Sequence, residues 1–226
     1  RGGLELAAQV AAGLLPTPSH VYVAIGSGGT AVGLAHGLAL GGLGATVVVA
    51  VRAVEAVFMG RGRLRALQRG LAGELAALGL KDAAAVTPCA IVLDGSAIGR
   101  GYGWPTPQAL AAVEALRSHN VAAESVYTGK AMAALLRDAA TAQVQGRDLG
   151  PCLLWTTVRA DTPLPHDPNY IDLLPPWLKH KITSQSKHKP DAQMHHTSRR
   201  RLLRGAAIVV GGGGAGLAAA ALWRGV

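Results

Sequence analysis

Hydrophobic positions in the first 157 residues form short unbroken runs separated by longer stretches with a helical period. The unbroken runs are VYVAI at 21–25, TVVVAV at 46–51, AIVLD at 90–94 and PCLLWTT at 151–157. Glycine, proline or polar residues bound each run. Apolar runs of this length, without alternation, are typical of strands buried on both faces of a parallel sheet.

Helical spacing fills the segments around these runs. It predicts helices over 4–15, 30–40, 61–78, 107–118 and roughly 129–140. Thr106 followed by Pro107 is a typical helix start, and Thr128 is predicted to cap the helix after it. Strands that alternate with helices of ten or more residues predict an α/β fold with a doubly wound, mostly parallel sheet and flanking helices.

The pattern stops near residue 158. Residues 159–176 carry five prolines and no periodicity, 177–204 are basic and polar, and 205–222 are apolar or glycine. We therefore expect an α/β portion over 1–158, a Pro-rich and then basic linker or tail over 159–204, and a Gly/Ala-rich apolar segment over 205–226. The whole C-terminal part is expected to be irregular.

The net charge of +9 is concentrated in the tail. Residues 179–204 contain eight Lys or Arg and one Asp, which gives +7, so the rest of the chain carries only +2. Aromatic residues do not interleave with the cations, as a surface for stacking nucleic-acid bases requires. We therefore expect no nucleic-acid partner.

Metal and disulfide chemistry are not expected. The tail histidines lack Cys or carboxylate partners at ligand spacing, so no metal site is predicted. Cys89 and Cys152 are far apart in apolar segments, which favours two buried thiols and a reducing compartment.

The apolar segment 205–222 follows three consecutive arginines, 199–201. Eighteen such residues are just long enough to span a membrane, although six glycines weaken insertion. Three interpretations stay open: a disordered or loosely helical tail, a membrane anchor with a cationic flank, and a misjoined sequence resembling an export signal.

A glycine-rich turn, Gly26-Ser27-Gly28-Gly29-Thr30, follows the first predicted strand and opens a helix. Such a turn can bind a phosphate through backbone N–H groups, the two hydroxyls and the helix N-terminus. No Lys follows as in a nucleoside triphosphate loop, and Arg52, rather than an acid for a ribose, ends the second strand. A phosphate site and an ordinary strand–helix turn both remain open.

Two further stretches, GYGWPTP at 101–107 and VYTGKAM at 126–132, follow GSGGTAVGL at 26–34. In this order the three motifs resemble the pyridoxal-phosphate (PLP) enzymes of the tryptophan-synthase-β class, called fold type II. The likeness is to the D-cysteine desulfhydrase and 1-aminocyclopropane-1-carboxylate (ACC) deaminase family, over roughly 4–157. It implies PLP as cofactor, a lyase or deaminase acting on a small D-amino acid or ACC, a homodimer at full length, and a cytoplasmic or organellar location.

The same resemblance implies a role for individual residues. The glycine turn would cradle the PLP phosphate, and Thr157 would place a hydroxyl near the pyridine nitrogen. Tyr102 would lie near the substrate, and Tyr127 would take part in proton transfer or leaving-group handling. Thr128 would line the substrate site.

Two positions bear on the substrate. ACC deaminases typically carry Glu and Leu where this chain has Thr128 and Thr157. The resemblance therefore favours elimination of D-cysteine to pyruvate, hydrogen sulfide and ammonia. ACC deamination is the second candidate activity, and β-elimination of other D-amino acids is the third.

In the family pattern Lys130 is not the lysine that bonds covalently to PLP. That lysine and a carboxylate-binding loop lie upstream of the phosphate loop, which here begins already at residue 26. Val158 and Arg159 also replace two expected glycines. The resemblance thus implies an incomplete or inactive fragment, with a non-catalytic phosphate- or PLP-binding fragment, tethered by its tail, as the alternative.

Overall fold

A computed structural model describes residues 1–157, 172, 175–177, 179, 208–211 and 219–221. The helices are α1 (Gly2–Ala11), α2 (Gly29–Leu40), α3 (Arg61–Ala77), α4 (Lys81–Ala85), α5 (Pro107–Arg117) and α6 (Thr128–Val144). The strands are β1 (His20–Ile25), β2 (Val47–Arg52), β3 (Ile91–Asp94), β4 (Cys152–Trp155), β5 (Ile208–Gly211) and β6 (Ala219–Ala221).

The strands form one sheet in the order β3-β2-β1-β4-β5-β6. β1 pairs in parallel with β2 on one side and with β4 on the other, and β2 pairs in parallel with β3. β5 is parallel to β4, and β6 is antiparallel to β5. The chain thus builds outward from β1 to β3 and then returns to the opposite side of β1.

Two hydrophobic clusters cover the faces of this sheet. One joins Val21, Val23 and Val48 to apolar residues of α1, α2 and α3. The other joins Tyr22 and Val49 to those of α5 and α6. Successive strand residues face opposite clusters because side chains alternate along a strand. This confirms the predicted α/β fold with a doubly wound, mostly parallel sheet.

The strands and long helices agree with the hydrophobic pattern to within a few residues at their ends. The short helix α4 has no counterpart among the predicted elements. Thr106 does cap α5, since its hydroxyl oxygen accepts the Ala109 N–H at 3.1 Å. Cys89 and Cys152 are both free and buried, as predicted.

The C-terminal part is described only in short stretches. Contacts divide the chain into one compact unit of residues 1–158 and 201–226 and a second of 159–200. Within the second unit Lys179 forms an ion pair with Asp172. Within 205–226, the segment expected to stand apart, β5 pairs with β4 and extends the sheet. Across the described residues, no helix is both long and apolar enough to cross a membrane.

Candidate active site

The glycine loop, residues 26–30, lies at the point in the sheet where the strand order reverses. It follows β1, whose two neighbours in the sheet are β2 and β4. In open parallel sheets, ligands bind in the crevice at the carboxyl ends of the strands at such a reversal. The fold therefore places the loop at the position where this architecture binds small molecules.

The local structure of the glycine loop leaves room for an anion. Gly28 has φ of 85°, a left-handed conformation that favours glycine, and this turns the chain from β1 into α2. Gly29 and Thr30 are exposed, and a β-carbon at Gly29 would meet nothing within 4 Å. Within the described part of the chain, no side chain caps α2. The first N–H groups of a helix carry partial positive charge, so this end suits a phosphate.

Tyr127 lies directly against this loop. A β-carbon added at Gly26 would stand 3.3 Å from the Tyr127 hydroxyl oxygen and 3.4 Å from its ring. The rings of Tyr127 and Tyr102 are 6.1 Å apart between centroids and meet edge to face at 70°. Two of the three sequence motifs therefore meet at Tyr102 and Tyr127, and the third joins them at Gly26.

The electrostatics keep the Tyr127 hydroxyl protonated. The Tyr102 hydroxyl, burial and the negative charge of Glu124 together raise the pKa of Tyr127 to about 12. Near neutral pH the group is therefore a proton donor. It becomes a base only when a bound ligand or added positive charge lowers its pKa.

Glu124 fixes the backbone around Tyr127. Its carboxylate accepts the N–H groups of Val126 at 2.7 Å, Tyr127 at 2.9 Å and Thr128 at 2.6 Å. The predicted capping role of Thr128 is therefore wrong. Tyr127 is the N-cap residue without a side-chain cap, and Thr128 is already helical and buried. A carboxylate four residues before the helix satisfies its N–H groups instead.

Helix α6 is held close to its neighbours. A β-carbon at Gly129 would lie 2.8 Å from the Ala109 carbonyl oxygen, so only glycine permits this approach of α5. Farther along α6, the Tyr22 hydroxyl donates to Asp138 at 2.9 Å, and Arg137 pairs with Asp94 at 3.0 Å. These contacts tie α6 to β1 and β3, and so fix the helix that carries Tyr127.

Tyr102 lies in an irregular segment, residues 95–106, called here the Tyr102 loop. The Tyr102 N–H donates to the Glu55 carboxylate at 2.9 Å. This hydrogen bond is the main cause that lowers the pKa of Glu55. Lys130 donates from Nζ to the carbonyl oxygens of Ile98 at 2.9 Å and Gly101 at 3.3 Å. The loop therefore has polar contacts to two other parts of the chain.

Arg52 adds a cation at the same edge of the sheet. It is the last residue of β2, in register with Ile25, which immediately precedes the glycine loop. Its guanidinium packs on Gly95, where a β-carbon would clash with it. The Nε–H group is buried and makes no hydrogen bond within the described residues. Because an unsatisfied buried donor is costly, this N–H is available to an anionic ligand.

The other two predicted site residues, Thr157 and Thr128, have different surroundings. Thr157 is exposed two residues after Trp155, which pairs with Val23 of β1. It thus follows β4 at the carboxyl edge of the sheet. Thr128 is buried beside Tyr127, with its backbone bonded to Glu124. Their proposed roles stay predictions.

Sequence reasoning did not identify Glu55 and Glu124 as site residues, and it gave Arg52 and Lys130 no role. Arg52 had a usable signal, since it ends a buried strand parallel to the one before the glycine loop. Glu124 lies three residues before Tyr127, but nothing in that spacing distinguishes it from a solvated acid. Among the described residues, no group of three or more His, Cys, Asp or Glu side chains could hold a metal ion.

Comparison with known proteins found a matching family model and a similar solved structure. A family model described as "pyridoxal-phosphate dependent enzyme" matches residues 1–149. A solved structure titled "Crystal Structure Analysis of the ACC deaminase homologue" is similar at 20% sequence identity with a TM-score of 0.47. The match covers 67% of this chain and 42% of that structure, so the chain spans less than half of that protein's length.

Proposed function

Because the chain belongs to the pyridoxal-phosphate dependent enzyme family, we propose that its glycine loop binds the phosphate of PLP. We further propose that it serves a lyase of the D-cysteine desulfhydrase type, which converts D-cysteine to pyruvate, hydrogen sulfide and ammonia. PLP is the cofactor of the family, and when bound it supplies the electron sink that carbanion chemistry at an amino acid requires.

The observation that carries the proposal is the contact of Tyr127 with Gly26. It brings a phenol hydroxyl to the loop that would hold the phosphate. The residues present suit that group, because the loop offers an uncapped helix N-terminus, open space at Gly29 and the hydroxyls of Ser27 and Thr30. The buried, unpartnered Nε–H of Arg52 supplies a further donor for an anion at the same edge of the sheet.

The roles of the two tyrosines follow from their protonation. Tyr127 holds its proton at Oη near neutral pH, since its pKa is about 12. It can therefore give that proton to a leaving sulfur atom, which departs more readily as a neutral thiol. Tyr102, edge to face with Tyr127, orients the phenol and covers one side of it. Thr157 would place its hydroxyl toward the pyridine nitrogen from the end of β4.

The preference for D-cysteine rests on Thr128. A small hydroxyl residue next to Tyr127 leaves the site without the carboxylate that ACC deaminases typically place there. The neighbouring Glu124 does not substitute for it, because its carboxylate is bonded to three backbone N–H groups. This supports a pocket with no free carboxylate beside the sulfur atom.

A substrate comparison tests the activity. The 226-residue chain, supplied with PLP, is assayed with D-cysteine, L-cysteine and ACC, and a protein-free mixture gives the background. We expect sulfide and pyruvate in equal amounts from D-cysteine, and loss of both in Tyr127→Phe. Production of 2-oxobutyrate from ACC, without sulfide from D-cysteine, would contradict the assignment. No turnover with retained PLP binding would favour the non-catalytic, cofactor-binding alternative.

A further inference from the structure

Lys130 is the most deeply buried charged side chain among the described residues, and the proposed chemistry does not use it. Its side chain has no exposed surface. We infer that Lys130 is a positioning residue, whose ammonium group holds the Tyr102 loop so that Tyr102 lies against Tyr127. The importance of this contact for catalysis rests on the proposed function, whereas the contact itself does not.

The hydrogen bonds of Lys130 are directed at one target. Nζ donates to the carbonyl oxygens of Ile98 and Gly101, both in the Tyr102 loop. In the part of the chain that the structure describes, Lys130 forms no ion pair. Burying a lysine is costly, and these carbonyl groups compensate it only in part. Burial accordingly lowers the pKa of Lys130. The negative charges of Glu55 and Glu124 act in the other direction and raise it, but by less.

Glu55 holds the same loop from the other side. Its carboxylate accepts the N–H of Tyr102, the residue after the carbonyl that Lys130 binds. Gly101 has φ of 128°, and a β-carbon there would lie 2.6 Å from the Glu55 oxygen. One peptide group thus has its oxygen bonded to Lys130 and its nitrogen bonded to Glu55. This fixes the orientation of the backbone from which the Tyr102 side chain leaves.

The position of Lys130 on α6 connects the two tyrosines. Lys130 follows Tyr127 by three residues, so both leave the first turn of one helix on nearly the same face. The start of α6 therefore carries both Tyr127, which contacts Gly26, and the Lys130 ammonium group, which holds the Tyr102 loop. A residue that only filled the core could be apolar, with no donor aimed at this loop.

The variant Lys130→Met tests the inference in the full chain without cofactor, with Lys81→Met on the exposed surface of α4 as control. Methionine keeps the apolar stem and removes the donors. NMR of tyrosine-labelled protein reports the Tyr102–Tyr127 ring contact as a cross-peak, and hydrogen exchange reports the Tyr102 amide. We expect Lys130→Met to lose the cross-peak and to speed exchange of that amide about tenfold, the size of one lost hydrogen bond.

Two readouts separate positioning from a general structural role. The unfolding midpoint of Lys130→Met should stay the same or rise, because a buried unpaired charge is removed. The pKa of Tyr127 should fall toward 10, because Tyr102 no longer raises it. Loss of a nearby positive charge alone would raise that pKa instead. A retained ring contact in a folded Lys130→Met chain would overturn the inference.

A measurement on the unsubstituted chain covers the case in which Lys130→Met does not fold. The Lys130 ammonium protons should exchange slowly and show cross-peaks to the Gly101 α-protons. Rapid exchange without these cross-peaks would contradict the inference. Neither result depends on the D-cysteine assay, so a failure here and a failure of the proposed activity are distinguishable.

Discussion

Tyr127 stands over Gly26 so closely that a β-carbon on the glycine would lie 3.3 Å from the phenol oxygen. The two residues come from opposite ends of the α/β unit. Gly26 follows β1, and Tyr127 immediately precedes α6, the helix that leads into β4. Their contact joins the loop suited to a phosphate with a phenol hydroxyl that keeps its proton near neutral pH.

A methyl group at Gly26 should disturb this contact. In Gly26→Ala the phenol ring must move by a few tenths of an ångström, so we expect weaker PLP binding and a shifted Tyr127 NMR signal. The matched control is Gly33→Ala, since a β-carbon at Gly33 meets nothing within 4 Å. PLP titration and the tyrosine spectrum check the pair. Equal behaviour of the two variants would count against the contact.

Removing the hydroxyl of Tyr102 should make Tyr127 easier to ionise. That hydroxyl is the largest cause of the raised pKa of Tyr127, so Tyr102→Phe should lower the pKa from about 12 toward the ordinary value of 10. In the unsubstituted chain Tyr127 stays protonated until the pH approaches 12. In the variant it should begin to ionise about 1–2 pH units earlier. Tyrosine ring-carbon shifts followed with pH measure this, and an unchanged titration would refute it.

Glu124 should stabilise the start of α6. Glu124→Ala leaves the N–H groups of Val126, Tyr127 and Thr128 without their acceptor, and we expect a loss of about 1–2 kcal/mol in the free energy of unfolding, as for other helix caps. Glu114→Ala removes only an exposed pair with Arg117 and should cost less than about 0.5 kcal/mol. Denaturant unfolding compares them. Similar losses in both variants would show that Glu124 has no special role.

Arg52 should strengthen anion binding. Hydrogen bonds to charged groups contribute about 1.5–3 kcal/mol, so Arg52→Gln should weaken binding of PLP or inorganic phosphate about tenfold or more. Arg52→Lys keeps the charge without the Nε–H and should recover only part of the affinity. Arg69→Gln on exposed α3 controls for net charge. Comparing PLP with pyridoxal, which lacks the phosphate, shows whether Arg52 contacts the phosphate group. Unchanged affinity in Arg52→Gln would rule out this role.

The fold was largely predictable because its strands are buried on both faces. Unbroken apolar runs such as VYVAI are typical of strands in the middle of a parallel sheet, where both faces are buried. The glycines after that run marked the turn into α2, and Thr106-Pro107 marked the start of α5. The order of the strands was not predictable, since equal apolar runs do not show on which side of β1 the strand β4 returns.

The site was predictable only where a motif is local. The glycine loop, Tyr102 and Tyr127 lie in three short stretches, yet nothing in their spacing shows that Tyr127 packs on Gly26. Thr128 was assigned a capping role because its residue type favours one, and the Glu124 carboxylate displaced it. Glu55 and Lys130 act on backbone groups about 30 to 50 residues away, a relationship that only the folded chain reveals.

Binding of PLP to the chain and to its Gly29→Ala variant tests the central claim most directly. Gly29 faces open space, so the variant should fold normally, while its methyl group narrows the approach to the first N–H groups of α2. We predict that the unsubstituted chain binds PLP more tightly than pyridoxal, and that Gly29→Ala removes most of this difference. Equal binding of PLP and pyridoxal by the unsubstituted chain would contradict a phosphate site at the glycine loop.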